Sequence, residues 1–334
     1  MEENIKINEI GVVGLGLMGC SIITALLMAG NKVIALAPIS EDLKGAPLKI
    51  LHYLIEVDMH HTSTYSIAEN KARLTYTEDY ADLKNCDIVM ECVIENLEIK
   101  KEVFNKIEQH ISPTAILTTN TSALPINILK DFVTLPNRFI GMHWAEPAFT
   151  TRFLEIVCSS QTDINIAEHL YQIASGWGKE PTLVRKDIRG FLTNRMMYAM
   201  YREAFFLVEN GYATIEDIDR TCRNDAGHWM AFCGLFRYMD LTGLQAYYNV
   251  MGDLFPTLSN QTEVPNLIAK IAETGGNGIV NGKGFYNYTP EEVQEWEKAY
   301  EEFAFEISKL TAKYPSNLIE KRLKKKAKLN LESL

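Results

Sequence analysis

Gly11-Val12-Val13-Gly14-Leu15-Gly16-Leu17-Met18-Gly19 is the stretch on which the fold turns. It closes a short apolar strand at 9–13 (EIGVV) and opens an apolar helix at 17–29. A GxGxxG alone is a weak signal; between a strand and a helix it has the context of a dinucleotide-binding fingerprint. Gly14 permits the tight turn, Gly16 lets the backbone approach a pyrophosphate, and Gly19 lets helix and strand pack closely. Leu17 and Met18 lie in the first helical turn, where free N–H groups and the positive dipole end favour phosphate. One part of the pattern is missing. The second strand, 32–37 (KVIALA), ends in Ala37 where an acid would bond the adenosine ribose, and no Arg follows it to hold a 2′-phosphate.

Outward from this loop, strands of four to seven residues alternate with helices. A mostly helical stretch at 41–69 has a polar break near His60, His61 and Thr62. A short strand at 74–77, a buried strand at 87–93 (DIVMECV) and an amphipathic helix at 97–110 follow. Strands at 115–119, 138–143 and 153–157 come next, then a helix near 166–177. This alternation predicts parallel βαβ units. From Phe191 the periodicity turns helical, over 191–210, 214–224, 239–254, 263–274 and 290–313. Thr214 stands three residues before Asp217, close to a capping box. The expected fold is α/β: a Rossmann-like N-terminal domain over 1–187 and an all-α C-terminal domain over 188–334.

The 334 residues carry a formal net charge of −10, with 47% hydrophobic residues, which fits a globular chain of two domains. An acidic chain offers no general face to nucleic acid. No run approaches about 18 apolar residues, so no membrane helix is expected. Met1-Glu-Glu-Asn4 lacks the basic and apolar regions of a signal peptide. The six cysteines form no CxxC pair and sit mostly in apolar runs, which fits a reducing cytosol better than a disulfide framework. The basic run 321–328 (KRLKKKAK) reads as a solvated terminal helix. Its sharper reading is a contact with an anionic ligand or with the acidic body of a partner subunit.

His143 ends the strand at 138–143, and Glu155 lies in the next strand-like piece. A carboxylate beside an imidazole fixes its tautomer and stabilises the imidazolium, the arrangement of an acid–base pair. The alternative is a structural histidine. Thr118-Thr-Asn120-Thr-Ser122 follows a strand, where ligands bind in doubly wound sheets, and reads either as ligand contacts or as turn chemistry. His60 and His61 lack matching carboxylate or cysteine spacing and read as a helix break, so no metal is expected.

Taken together, ordered motifs over roughly residues 8–290 carry more information than any one of them. They are GVVGLGLMG at 11–19, ECVIENLEIKKEVF at 91–104, TTNTSALPI at 118–126, RFIGMHWAEP at 138–147, FLEIV at 153–157, DIRGFLTNRM at 187–196, NGYATIEDID at 210–219 and GKGFYNY at 282–288. With these the chain resembles the L-3-hydroxyacyl-CoA dehydrogenase family (3-hydroxybutyryl-CoA dehydrogenase-like). The resemblance implies an NAD-dependent enzyme that moves a hydride between C3 of a 3-hydroxyacyl thioester and the nicotinamide. It places the acid–base histidine at His143, its orienting carboxylate at Glu155, a serine that bonds the substrate oxygen at Ser122, and an asparagine of the second domain's first helix at Asn194. Glu95, Lys100 and Asn120 fall at positions that touch the cofactor. A homodimer through the helical domain is also implied.

The chain departs from the family pattern around the substrate and the adenosine. Trp144-Ala-Glu146-Pro147 stands where relatives have Phe-Phe-Asn-Pro. Glu146 is therefore expected to be solvated, paired with a cation such as Arg152, or protonated. Arg189-Gly190-Phe191 replaces a Pro-Gly-Phe hinge, and Met230-Ala-Phe-Cys-Gly-Leu235 replaces Met-Gly-Pro-Phe-Glu-Leu. Two other readings stand beside the leading one: a dehydrogenase of a hydroxy acid without CoA, of gulonate or carnitine type, and a catalytically idle NAD-binding relative.

Overall fold

The structure, a computed structural model, describes residues 7–332, with side chains to residue 327. The N-terminal tetrapeptide and the side chain of Lys328 lie outside the described residues. Two compact units divide the chain, Met1–Arg195 and Met196–Leu334.

The first unit is built on eight strands: β1 (Ile10–Val13), β2 (Val33–Leu36), β3 (Leu74–Thr77), β4 (Ile88–Glu91), β5 (Ile116–Thr119), β6 (Phe139–Trp144), β7 (Leu154–Cys158) and β8 (Thr182–Val184). They form one sheet in the order β3-β2-β1-β4-β5-β6-β7-β8. The helices α1 (Leu17–Met28), α2 (Ser40–Met59), α3 (Ile67–Ala72), α4 (Leu97–Glu108), α5 (Ile126–Leu129) and α6 (Ile164–Ser175) supply its crossovers and cover. Every residue of β1, β2, β4, β5, β6 and β7 is buried, as continuous apolar runs in a sheet covered on both faces should be. Strand order reverses at β1, whose neighbours are β2 and β4, so the loop after β1 opens at a topological switch point.

The expected alternation holds through β6 and then changes. β7 pairs antiparallel with β6, and β8, which the sequence reading did not foresee, pairs parallel with β7. The connection 145–153 contains no helix and is shorter than the crossover of about a dozen residues that parallel strands require. The chain therefore turns straight back. This hairpin sets Glu155 opposite His143 in the ladder.

The division after Arg195 falls later than the expected 187/188 boundary. Leu192, Thr193 and Asn194 all hydrogen-bond to the first unit, through Glu155 and the Ser122 carbonyl, which keeps the start of the following helix with the sheet.

The second unit is helical, as expected, with α7 (Thr193–Glu209), α8 (Ile215–Thr221), α9 (Gly227–Thr242), α10 (Leu244–Leu254), α11 (Asn266–Glu273), α12 (Pro290–Ala312) and α13 (Leu318–Glu332). Thr214 and Asp217 do form a reciprocal capping box at the start of α8. The first half of α9 had no counterpart in the sequence reading. Its aromatic run holds no fully buried residue, and Gly234 breaks the helical backbone at φ 67°, ψ −175°. Such a segment shows no clean 3.6-residue stripe.

The glycine loop makes a sharp stability test. A Cβ on Gly19 would lie 1.9 Å from the Gly14 carbonyl oxygen, whereas one on Gly16 meets nothing within 4 Å. Gly19→Ala should lower stability by about 2 kcal/mol or more, visible as a lower thermal midpoint, while Gly16→Ala keeps the parent's midpoint. Equal midpoints for the two variants would show that this turn is looser than its geometry.

Candidate active site

The carboxyl ends of β1, β4, β5 and β6 converge on one edge of the sheet. His143, near the end of β6, is buried, and its Nδ1 lies 2.9 Å from Oε2 of Glu155. An ionised carboxylate only accepts, so Nδ1 carries the hydrogen and Nε2 is left with its lone pair. Glu155 is 1% exposed, and burial alone would push its carboxyl up. The bond from His143 and the backbone N–H groups of Thr193 and Leu192, at 2.9 and 3.0 Å from Oε1, outweigh burial and hold it below the usual carboxylate range.

The segment that brings those two N–H groups is strained. Gly190 and Phe191 both have positive φ, 80° and 48°. For Phe191 the left-handed conformation costs on the order of 1–3 kcal/mol and persists only where the surroundings over-determine it. Its buried ring lies 5.5 Å from the His143 ring, and Phe153 packs edge-on to the same imidazole at 5.4 Å. Neither phenylalanine was singled out from the sequence.

Ser122 sits on the loop after β5, exposed, with its backbone N–H donating to Glu95 Oε1 at 2.8 Å. The Ser122 carbonyl accepts from Asn194 Nδ2 at 3.3 Å, so these two expected site residues do meet. Asn120 lies in the same loop, and its Oδ1 accepts from the Trp144 N–H at 3.1 Å, tying the ends of β5 and β6 together. Thr121 Oγ1 donates to Glu95 Oε1 at 2.7 Å. Lys100 lies beneath this layer rather than on it. It has no exposed side-chain surface and reaches both oxygens of buried Glu91 at 2.8 and 2.9 Å and Glu95 at 3.5 Å. Thr119 Oγ1 also donates to Glu91, at 2.6 Å. Glu91 went unread in the sequence, although a lone acid in an apolar strand nine residues before a lysine is the signal that finds it.

At the glycine loop, Gly16, Leu17 and Met18 are at least partly exposed while Gly14 and Gly19 are buried. The open space over Gly16 is the cradle that a close-lying pyrophosphate needs, and a Cβ there would fill it. Ala37 is buried, with its N–H donating to the Thr77 carbonyl at 2.9 Å.

Comparison with known proteins finds relatives over most of the chain. The NAD-binding domain model of 3-hydroxyacyl-CoA dehydrogenase matches residues 9–188, and the C-terminal domain model of the same enzyme matches 190–288. The chain belongs to the 3-hydroxyacyl-CoA dehydrogenase family. A 5-formyl-3-hydroxy-2-methylpyridine 4-carboxylate 5-dehydrogenase of Mesorhizobium japonicum is 30% identical over 86% of this chain and 93% of its own. A probable 3-hydroxybutyryl-CoA dehydrogenase of Deinococcus radiodurans is 31% identical over 84% of this chain and all of its own. Among solved structures, a 5-formyl-3-hydroxy-2-methylpyridine 4-carboxylic acid 5-dehydrogenase, described as an NAD+-dependent dismutase, superposes with a TM-score of 0.86 at 27% identity, covering 93% of this chain and 100% of that one. The (S)-3-hydroxybutyryl-CoA dehydrogenase of Ralstonia eutropha gives 0.70 at 26% identity, covering 85% and 100%.

As a member of this family the chain is an oxidoreductase with an NAD-binding domain, and the glycine-loop cradle described above is where that cofactor's pyrophosphate fits. Among the described residues no three His, Cys, Asp or Glu side chains come together to hold a metal ion, and no helix is long and apolar enough to cross a membrane. His60 ends α2 and His61 takes a left-handed φ of 53°, the helix break expected from the sequence. All six cysteines are free thiols.

The altered loop after His143 resolves one of its open questions. Arg152 pairs with Glu180 at 2.9 Å, not with Glu146. Glu146 turns towards α1, where Ser21 bonds its carboxyl and also accepts the Ala148 N–H at 2.7 Å. Burial pushes the Glu146 carboxyl up to about 7, against smaller opposing pulls from Ser21 and Lys49, and its Oε2 is buried without a partner. Lys179, also buried, holds the same loop by donating to the carbonyls of Ala148 and Thr151, with its ammonium 5.3 Å from the centre of the Trp144 ring.

Glu146 therefore makes the fold sensitive to pH with a definite sign. Its folded pKa lies above the ordinary value, so the unfolded chain releases the proton first and stability falls as pH rises from about 4.5 to about 7. Glu146→Gln removes this loss. Urea midpoints of parent and variant should agree near pH 4 and diverge at pH 8, with the variant more stable. A constant difference across that range would show that Glu146 does not titrate as its burial implies.

Proposed function

We propose that this chain oxidises an alcohol, or reduces the matching carbonyl, on a small carboxylate substrate, with His143 as the acid–base group. The observation that carries the chemistry is the buried cross-strand pair of His143 and Glu155, which leaves Nε2 free for a substrate oxygen. Bound at the glycine loop, NAD supplies the hydride acceptor or donor. Nε2 of His143 takes the hydroxyl proton in the oxidative direction and returns it in reduction. Glu155 keeps the ring in the required tautomer and stabilises the imidazolium that forms. The Ser122 hydroxyl bonds the same substrate oxygen, on a loop held by Glu95 and Asn194. Phe153 and Phe191 exclude water from the imidazole, which strengthens its interaction with Glu155.

For the substrate we favour a free acid over a CoA thioester. The likeness in fold extends further along the chain for the pyridine carboxylate dehydrogenase than for the 3-hydroxybutyryl-CoA dehydrogenase. The second reading, a 3-hydroxyacyl-CoA dehydrogenase using NAD, is favoured by the match of both family domains.

NADH oxidation followed by its loss of absorbance separates the readings. Free 3-keto acids and aromatic formyl carboxylates should be turned over with higher kcat/KM than acetoacetyl-CoA. Turnover of the thioester alone would establish the CoA reading, and turnover of none of them would favour the idle relative. His143→Ala should lower kcat by roughly 10²–10⁴-fold while NADH still binds; near-parental kcat would remove His143 from the mechanism.

We also propose a homodimer through the helical unit. Among its described residues only Phe305 is fully buried, while Met196, Tyr198, Met200 and Tyr201 on α7 and Phe232 and Phe236 on α9 are exposed. A unit of this size needs a core that one copy does not supply. Light scattering at micromolar concentration should give a mass near twice 37.9 kDa.

A further inference from the structure

The family's C-terminal domain model stops at residue 288, just before α12 and α13. Along α12, Trp296, Tyr300, Phe303, Ile307 and Leu310 follow one another at spacings of four, three, four and three, and Tyr314 continues the series. That is the 3.5-residue repeat of a helix seam made to receive another helix. Phe305, half a turn away from the seam on helical spacing, is buried, at 1% exposure. The N-terminal part of the seam is bare: Trp296, Tyr300 and Phe303 are 61, 60 and 61% exposed, whereas Tyr314 at its far end packs edge-on against Phe232 of α9.

The charges say what fits there. α12 carries seven glutamates and two lysines. Two copies of α12 packed seam to seam would set like charges against each other. The first ten residues of α13, 318–327, carry five basic side chains against one glutamate, and the apolar pair Ile319 and Leu323 is exposed on one face. The short connection 313–317 would let α13 fold back as a helical hairpin on its own α12, yet α13 leaves the seam uncovered in its own chain.

We infer that the α12 seam is the seat for α13 of a second copy, so that each subunit gives one basic helix and receives one, as two-fold symmetry requires. Ile319 and Leu323 cover the aromatic stripe. Arg322 and Lys326, one turn apart beside them, meet the acidic margins of the partner's α12. The exchange joins the basic run to the acidic helix by opposite charge. It rests on the proposed homodimer and specifies which elements close it.

A full-length charge exchange tests this. One variant carries Arg322→Glu and Lys326→Glu on α13; the other carries Glu297→Lys and Glu306→Lys on α12. All four side chains are exposed, so circular dichroism melts should match the parent. By light scattering or analytical ultracentrifugation the parent is a dimer, and each variant alone has a dissociation constant raised roughly tenfold or more by like-charge contact. An equimolar mixture, differentially tagged, recovers parental affinity as a mixed dimer, because each α13 then faces an oppositely charged α12. Variants that dimerise as tightly as a dimeric parent, or a mixture that does not recover, would overturn the exchange while leaving the dimer intact. A monomeric parent would overturn both.

Discussion

A buried carboxylate cannot stay ionised without donors, and the arrangement around Glu155 follows from that constraint. One oxygen takes the imidazole N–H of His143, and the other takes the N–H groups of Leu192 and Thr193. To deliver those two amides the chain adopts two successive left-handed residues, Gly190 and Phe191. The same kink lays the Phe191 ring against His143. Sheet, kink and aromatic walls are thus tied to one charge, and removing it would loosen the imidazole, the start of α7 and the turn between them together.

The sheet makes this possible through its one reversal of direction. Up to β6 each strand is followed by a crossover, and the loops that follow these strands gather at their carboxyl ends. The return of β7 beside β6 then carries a carboxylate up to the histidine from the neighbouring strand rather than from a loop. Strand ladders are stiff, so the pair is placed more firmly than the polar loop around Ser122, which needs Glu95, Thr121 and Asn194 to fix it.

Much of this was legible in the residues. The glycine loop, the apolar strands and the amphipathic helix at 97–110 each carry a local signature, and each lies where that signature put it. The antiparallel turn at β6 and β7 was not, because direction depends on connection length and on what the returning strand can pair with. β8 is three residues in a polar context, too short for a periodic pattern. The first half of α9 showed no stripe because its residues are apolar on nearly every side and Gly234 breaks its helical backbone. Site residues followed the same division. His143 and Glu155 stood out as chemistry, whereas Glu91, Phe153, Phe191 and Lys179 matter through contacts that only the folded chain brings together.

The loop between β6 and β7 departs from the family pattern while the two strands keep the His143–Glu155 pair. His143 and Glu155 are insulated from it by the ladder, yet the loop runs from one to the other, so its residues border whatever lies over the imidazole. In place of an amide the chain has Glu146, drawn towards Ser21 on the helix that follows the glycine loop, with one oxygen unpartnered. Lys179 grips the other end of the loop through two carbonyls. A loop pinned at both ends has little freedom to swing aside for a bulky group. Its carboxyl, raised to about 7 by burial, can donate a hydrogen bond to a substrate carboxylate once protonated. On the proposed function, substrate discrimination would lie on the 144–151 loop and proton transfer on the strands beneath it, so that one could change without disturbing the other.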